Sequence, residues 1–211
     1  RGDEQAIHNH QKDRTAEAKF KVYSYPTLIV FNPQGAEIDR ILGFRTAEEL
    51  IKILEDVKKG IGTLEDLLHR YEKAKGQKTA ETIDLMSKIM EKYIARADYP
   101  KALEIVAQVV EADKDNSQKQ ASAALFQKGY IYYKWKKYPE AIEALTSIYK
   151  IYPASEEAEE GYAAAAFYSE KLDDPALTLK MLKDMVKIFP KGKYLQEGLK
   201  KIEELEKSLK K

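Results

Sequence analysis

Side chains able to do chemistry are unevenly supplied here: fourteen tyrosines, three histidines and no cysteine among 211 residues. Without cysteine these residues form no disulfide, no thiolate metal site and no thiol nucleophile. His8-Asn9-His10 invites a metal-ligand reading. Histidines at i and i+2 do not share a helix face, and no acidic or histidine cluster with ligand spacing surrounds them, so they read as solvated surface. His69, next to Arg70 in an amphipathic stretch, reads the same way. No Gly-rich phosphate loop, no Gly-X-Ser-X-Gly elbow and no close pair of catalytic carboxylates stands out. The chain is therefore expected to contain no catalytic residue, no metal ligand and no cofactor of its own. What remains is aromatic surface for binding, and a Tyr25-Pro26 pair ahead of an apolar run.

Charge narrows the choice further. Lys and Arg total 36 against 35 Asp and Glu, a net charge of +1, which argues against a nucleic-acid partner, whose binding depends on basic excess. No apolar run approaches the about 20 residues needed to span a bilayer, so no membrane insertion is expected. The opening Arg1-Gly2-Asp3-Glu4 has neither Met nor a leader pattern. It reads as a sequence with residues upstream, and it leaves the compartment open between cytoplasm and bacterial periplasm.

The elements that must position these residues divide near residue 60. Residues 3–19 are polar with weak helical spacing. Thr27-Leu28-Ile29-Val30-Phe31 is a β-branched and aromatic run of strand length. Asn32-Pro33-Gln34-Gly35 is a turn signal, and residues 37–44 read as the returning strand, giving a β-hairpin over 27–44. Thr46 with Glu49 forms a capping box for a helix whose stripe is Leu50, Ile53, Leu54 and Val57, and which Lys58, Lys59 and Gly60 end. From Thr63 onward only helical patterns appear. Thr63 caps one helix that Gly76 stops, and Thr79 or Thr82 starts the next, to about Ala97.

The sequence then repeats itself. Ala97-Asp98-Tyr99-Pro100-Lys101-Ala102-Leu103-Glu104 returns as Lys136-Lys137-Tyr138-Pro139-Glu140-Ala141-Ile142-Glu143, and more loosely at Asp173-Asp174-Pro175-Ala176. Ile151-Tyr152-Pro153 and Ile188-Phe189-Pro190 close successive helices. The second copy resembles a tetratricopeptide repeat: Leu125, Gly129 and Tyr132 on its first helix, Ala141, Leu145, Ile148 and Pro153 on its second. The first copy keeps Met86, Tyr93, Ala102, Val106 and Val109, with Lys114 in place of the proline; the third keeps Ala165, Tyr168 and Pro190. The period from Ala102 to Ala141 exceeds the family's usual 34 or so, so extended turns are expected. The last segment, 194–209, is amphipathic and suits a capping helix.

That resemblance places Phe126, Tyr130 and Tyr133 on the face that holds peptides in such repeats, with Ser87, Glu91 and Ile94, and Tyr162, Ala166 and Ser169, as equivalents in the neighbouring copies. A protein or peptide partner is thus expected at the repeats. The competing expectation is that these aromatics pack within the fold.

The first sixty residues are similar to the C-terminal half of a thioredoxin fold, on Phe20-Lys21-Val22-Tyr23-Ser24-Tyr25-Pro26-Thr27, the hairpin, Arg40-Ile41-Leu42-Gly43-Phe44 and the following helix. The resemblance implies a cis bond before Pro26 and a role for Tyr25 and Pro26 in docking a substrate chain beside a redox site. It also implies a first half, carrying Cys-X-X-Cys, that these residues lack. The fold class expected is an α/β remnant, the C-terminal β-hairpin and helix of a thioredoxin fold, at residues 1–60. An all-α tetratricopeptide-like helical repeat follows at residues 63–211. The open edge of strand 27–31 is expected to be covered by the missing N-terminal half or by a second chain, a homodimer included. Two functions follow. One is a fragment of a thiol-disulfide oxidoreductase with a protein-binding repeat domain; the other is a non-catalytic scaffold on a cysteine-free thioredoxin fold.

Overall fold

The computed structural model describes residues 16–209; His8 and His10 and most of the polar segment 3–19 lie outside that range. The described chain falls into two compact units. The first contains the residues up to Lys75 together with Glu91–Asp98, and the second contains Gly76–Met90 and Tyr99 onward.

In the first unit, β1 (Thr27–Phe31) pairs antiparallel with β2 (Glu37–Leu42), Thr27 facing Leu42 and a register shift falling between Val30 and Phe31. The turn is closed by the Asn32 carboxamide oxygen, which accepts from the amides of Gln34 (3.1 Å) and Ala36 (2.8 Å). Gly35 takes φ +82°, a conformation costly for residues with a Cβ. Helix α1 (Ala47–Lys58) begins at the capping box: the Glu49 amide donates to Thr46 Oγ1 (3.3 Å), and the Thr46 amide donates to the Glu49 carboxylate (2.9 Å). Helix α2 (Leu64–Ala74) is capped by Thr63 and groups with this first unit. By compactness the first unit thus runs on through α2 to Lys75.

The reason the end of the next helix also groups here is electrostatic. Asp39 on β2 is 1% exposed, and its carboxylate meets Lys92 Nζ at 2.6 Å and Arg96 at 3.4 Å. Glu37 pairs with Arg40 at 2.7 Å and Arg96 at 3.3 Å. Arg40, 6% exposed, also donates to the carbonyls of Lys21 and Ala95. A buried carboxylate is tolerated only when paired in this way.

The second unit is helical throughout its described residues. Helix α3 (Ala80–Ala95) contributes its residues up to Met90. It is followed by α4 (Tyr99–Ala112), α5 (Gln120–Lys134), α6 (Tyr138–Ile151), α7 (Glu156–Ser169), α8 (Pro175–Ile188) and α9 (Leu195–Leu209). From α4 each helix packs on the next, and α5 also reaches α7. Pro139 and Pro175 stand in the first turns of α6 and α8, where no intrahelical N–H bond is lost.

One core joins α5, α6 and α7 through Leu125, Ala141, Leu145, Ile148, Ala158, Ala165 and Tyr168; a second holds Tyr162, Ala166, Leu182 and Met185 against Ile202 and Leu205 of α9. The close approach at Gly129 is toward Leu145: a Cβ on Gly129 would lie 2.6 Å from Leu145 Cδ2. Helix α9 buries one face in this way.

Candidate functional site

The repeat unit leaves an open cavity of about 430 Å³ among α5, α7, α8 and α9. It is built from helix-borne side chains. Phe126 comes from α5, and Phe167 and Tyr168 from α7. The floor is α7 itself, where Ala163, Ala164 and Ala166 keep the helix surface low, and Leu182 and Met185 of α8 back it. Tyr194 and Gly198 close it on the α9 side, with Tyr194 held by its amide, which donates to the Glu159 carboxylate at 2.9 Å. Gly198 matters for its size: a Cβ there would sit 2.6 Å from Met185 Cε.

Phe167 is 51% exposed, a large apolar side chain left to solvent at the lip of the cavity. Tyr168, 9% exposed, is the opposite case. Burial, then the neighbouring hydroxyls of Tyr133 and Tyr130, push its phenol up to about 12, so it remains a neutral O–H donor at any ordinary pH. Carboxylates stand round the opening: Glu160, Glu170 and Glu197 line it beside Lys201. Among the described residues no group of histidines and carboxylates suited to holding a metal ion is present. The cavity has no nucleophile paired with a base. It offers apolar walls, a few polar groups and charge at the rim.

Of the groove residues expected from sequence, Phe126 lines this cavity. Tyr133 is half-buried and stacks on Tyr168, the ring centroids 4.0 Å apart, and also approaches Tyr138 at 5.8 Å. Tyr130 lies beneath the ammonium of Lys134, 5.3 Å from its ring centre. The third-copy equivalents divide. Ala166 lines the cavity, but Tyr162 is buried with Tyr149 and Phe189, and Ser169 is fully buried, its hydroxyl donating to the Ala166 carbonyl at 2.7 Å. Phe167, Tyr194 and Glu197 were not singled out by sequence. The signal for Phe167 was its place beside Tyr168 in an otherwise alanine-rich helix.

In the first unit the Tyr25–Pro26 bond is cis, and both residues are exposed, Tyr25 at 69%. The Tyr25 hydroxyl donates to the Glu17 carboxylate, and the Pro26 carbonyl accepts from the Gly43 amide at 2.9 Å, which ties the loop to the far end of β2. Tyr23 and Phe44 are also exposed. Among the described residues β1 has β2 as its only strand neighbour, and Leu28 and Phe31 on it are each 41% exposed.

Residues 2–58 match the family described as a thioredoxin-like domain. The match covers the thioredoxin-like segment only, and the helical repeats follow it. Two solved structures resemble the chain, both of a Podosopora anserina protein described as a putative kinesin light chain with nearly identical TPR-like repeats. One of the two is a variant with a single substitution. Each has a TM-score of 0.52 at 13% identity, covering 74% of this chain and 78% or 79% of theirs. At that identity the likeness is one of fold. It shows that the helices after the thioredoxin-like segment form a TPR-like repeat. Among curated proteins none matches the chain.

Proposed function

We propose that the chain is the protein-binding part of a thioredoxin-like protein, with the repeat unit holding a segment of a partner polypeptide in the cavity framed by Phe126, Phe167 and Tyr168. The observation that carries this is Phe167. It is a phenylalanine on the last turns of α7, half exposed at the edge of an apolar cavity that α9 leaves open. A large aromatic beside a concave apolar wall is the composition of an interface anchor. The test is selection from a displayed peptide library with the 211-residue chain as bait, followed by titration of the selected peptides. Phe167→Ala is expected to weaken them at least about tenfold, the effect of losing one aromatic anchor, with an unchanged far-UV circular dichroism spectrum. Peptides that bind equally to the variant would overturn the assignment of the cavity.

A redox role is the second part of the proposal, supported by the resemblance of residues 20–44 and by the exposure of Tyr23, Tyr25, Pro26 and Phe44. In this reading Tyr25 and Pro26 dock a substrate chain while a dithiol carried by other sequence exchanges with its disulfide. The thiolate attacks one substrate sulfur, the second sulfur leaves as thiolate, and a resolving thiol completes the exchange. The alternative is a scaffold in which the same surface only binds. The two separate in the encoded sequence preceding Arg1. A Cys-X-X-Cys there, with insulin-disulfide reduction by the longer protein, supports exchange; a thioredoxin half without it supports the scaffold.

A further inference from the structure

Resting on the reading of the cavity as a peptide site, we infer that its occupant is a partner segment with a bulky apolar side chain flanked by lysine or arginine. The apolar part follows from the walls. Phe126, Phe167, Leu182 and Met185 offer nothing to a polar side chain, and the small residues of α7 leave depth for a large one.

The basic flank follows from the rim. Three carboxylates, Glu160, Glu170 and Glu197, line the opening against one ammonium, Lys201. Lys201 is paired to Glu170, and Glu160 is met from outside the lining by Lys193; Glu197 has no ion-pair partner among the described residues. The excess is local, since the whole chain carries a net charge of +1. An acidic segment would bring like charge to carboxylates partly desolvated by the ligand, whereas a lysine or arginine beside the anchor meets Glu197 directly.

The experiment is a titration of the 211-residue chain by fluorescence anisotropy. The two probes are fluorescein-labelled peptides sharing one phenylalanine-centred core, flanked by lysine in one and by glutamate in the other. The lysine peptide is expected to bind about five- to tenfold tighter at low salt, the range for one or two exposed charge pairs. That preference shrinks as salt rises. Glu197→Lys, an exposed substitution, removes most of the preference without changing the circular dichroism spectrum, and Phe167→Ala weakens both peptides. Equal affinities, or a preference untouched by Glu197→Lys, overturn the basic partner and leave the cavity as a peptide site. Binding of both peptides that ignores Phe167→Ala overturns the peptide site itself. A concentration-dependent dimer abolished by Phe167→Ala assigns the cavity to a second copy of the chain and overturns both.

Discussion

The ring of Tyr133 lies flat on the ring of Tyr168, with centroids 4.0 Å apart and planes 14° from parallel. Tyr133 is on α5 and Tyr168 on α7, so the stack joins the first helices of successive repeats. Tyr168 is at once a core residue and part of the cavity wall. The shape of the cavity wall is therefore set by the same contact that holds the repeats together.

Tyr133→Ala is accordingly expected to destabilise the protein by about 2–3 kcal/mol, the loss of a half-buried aromatic and its ring partner. Tyr130→Ala removes a ring that the Lys134 ammonium covers, and costs less than about 1 kcal/mol. Urea denaturation followed by circular dichroism compares the two. Equal midpoints would mean the stack contributes nothing beyond surface contact.

Alkaline pH should loosen the repeats before it denatures an ordinary helical protein. Tyr168 is held up to about 12 by burial first and then by Tyr133 and Tyr130. Tyr162 and Tyr152 are raised in the same sense, by burial and then by Asp184 and Asp113 respectively. In the unfolded chain these phenols ionise near their ordinary value of 10.0. Between that pH and the folded values the unfolded state gives up protons that the native state keeps. Stability is thus intact below pH 10 and falls above it, by up to about 1.4 kcal/mol per pH unit for each such tyrosine. Tyr168→Phe should flatten this fall. Urea midpoints measured on either side of pH 10 check it, with tyrosinate absorbance reporting the ionisation; an unchanged slope in the variant would refute the assignment.

Local chemistry made parts of this fold readable in advance. Asn32 and Gly35 fix the hairpin turn, and Thr46 with Glu49 starts α1, because each feature involves residues a few positions apart. The repeat spacing gave the helices in order. The cavity was only partly legible, since Phe126 follows from repeat alignment while Phe167, Tyr194 and Glu197 depend on how α7, α8 and α9 meet. Alignment also assumes that each repeat presents the same helix face. In the third, Tyr162 is drawn into the Tyr149–Phe189 cluster and Ser169 to Thr178 Oγ1 at 2.9 Å, which leaves Phe167 as the exposed aromatic. Helix α2 groups with the first unit by compactness. Compactness reports which residues crowd together, not where the strand pattern stops.

Asp113 solves a problem the sequence leaves at the start of α5. Lys119, at the N-cap, has φ +57° and makes no side-chain cap. The 2%-exposed Asp113 carboxylate, at the end of α4, instead accepts from the amides of Gln118 (3.0 Å), Gln120 (2.7 Å) and Ala121 (3.1 Å). Asp113→Ala strands those donors and should cost about 2–4 kcal/mol. Asp113→Asn, which keeps one acceptor oxygen, should cost about half as much. Thermal unfolding of the pair checks the order; an alanine variant no worse than asparagine would show that the turn caps itself.

Leu145 is the point where two glycines make room, and the two differ in a way that a double-mutant cycle resolves. A Cβ on Gly129 would meet the Leu145 side chain, whereas one on Gly161 would lie 2.6 Å from the Leu145 carbonyl oxygen, which is backbone. Leu145 is fully buried, so moving its side chain aside means repacking a close-packed core. Gly129→Ala and Gly161→Ala should each destabilise by about 1–3 kcal/mol, the usual cost of overpacking. Shortening the obstacle separates them. Leu145→Ala opens a cavity of its own, yet it removes the clash with Ala at 129 and leaves the backbone oxygen facing 161. The Gly129→Ala, Leu145→Ala pair should therefore be more stable than the sum of its singles by about 1 kcal/mol or more, while the Gly161→Ala, Leu145→Ala pair adds within about 0.5 kcal/mol. Urea midpoints of the six proteins decide it. The same coupling in both pairs would mean that helix α6 moves as a body, and that the tight approach of α5 and α7 to it is not fixed by Leu145 alone.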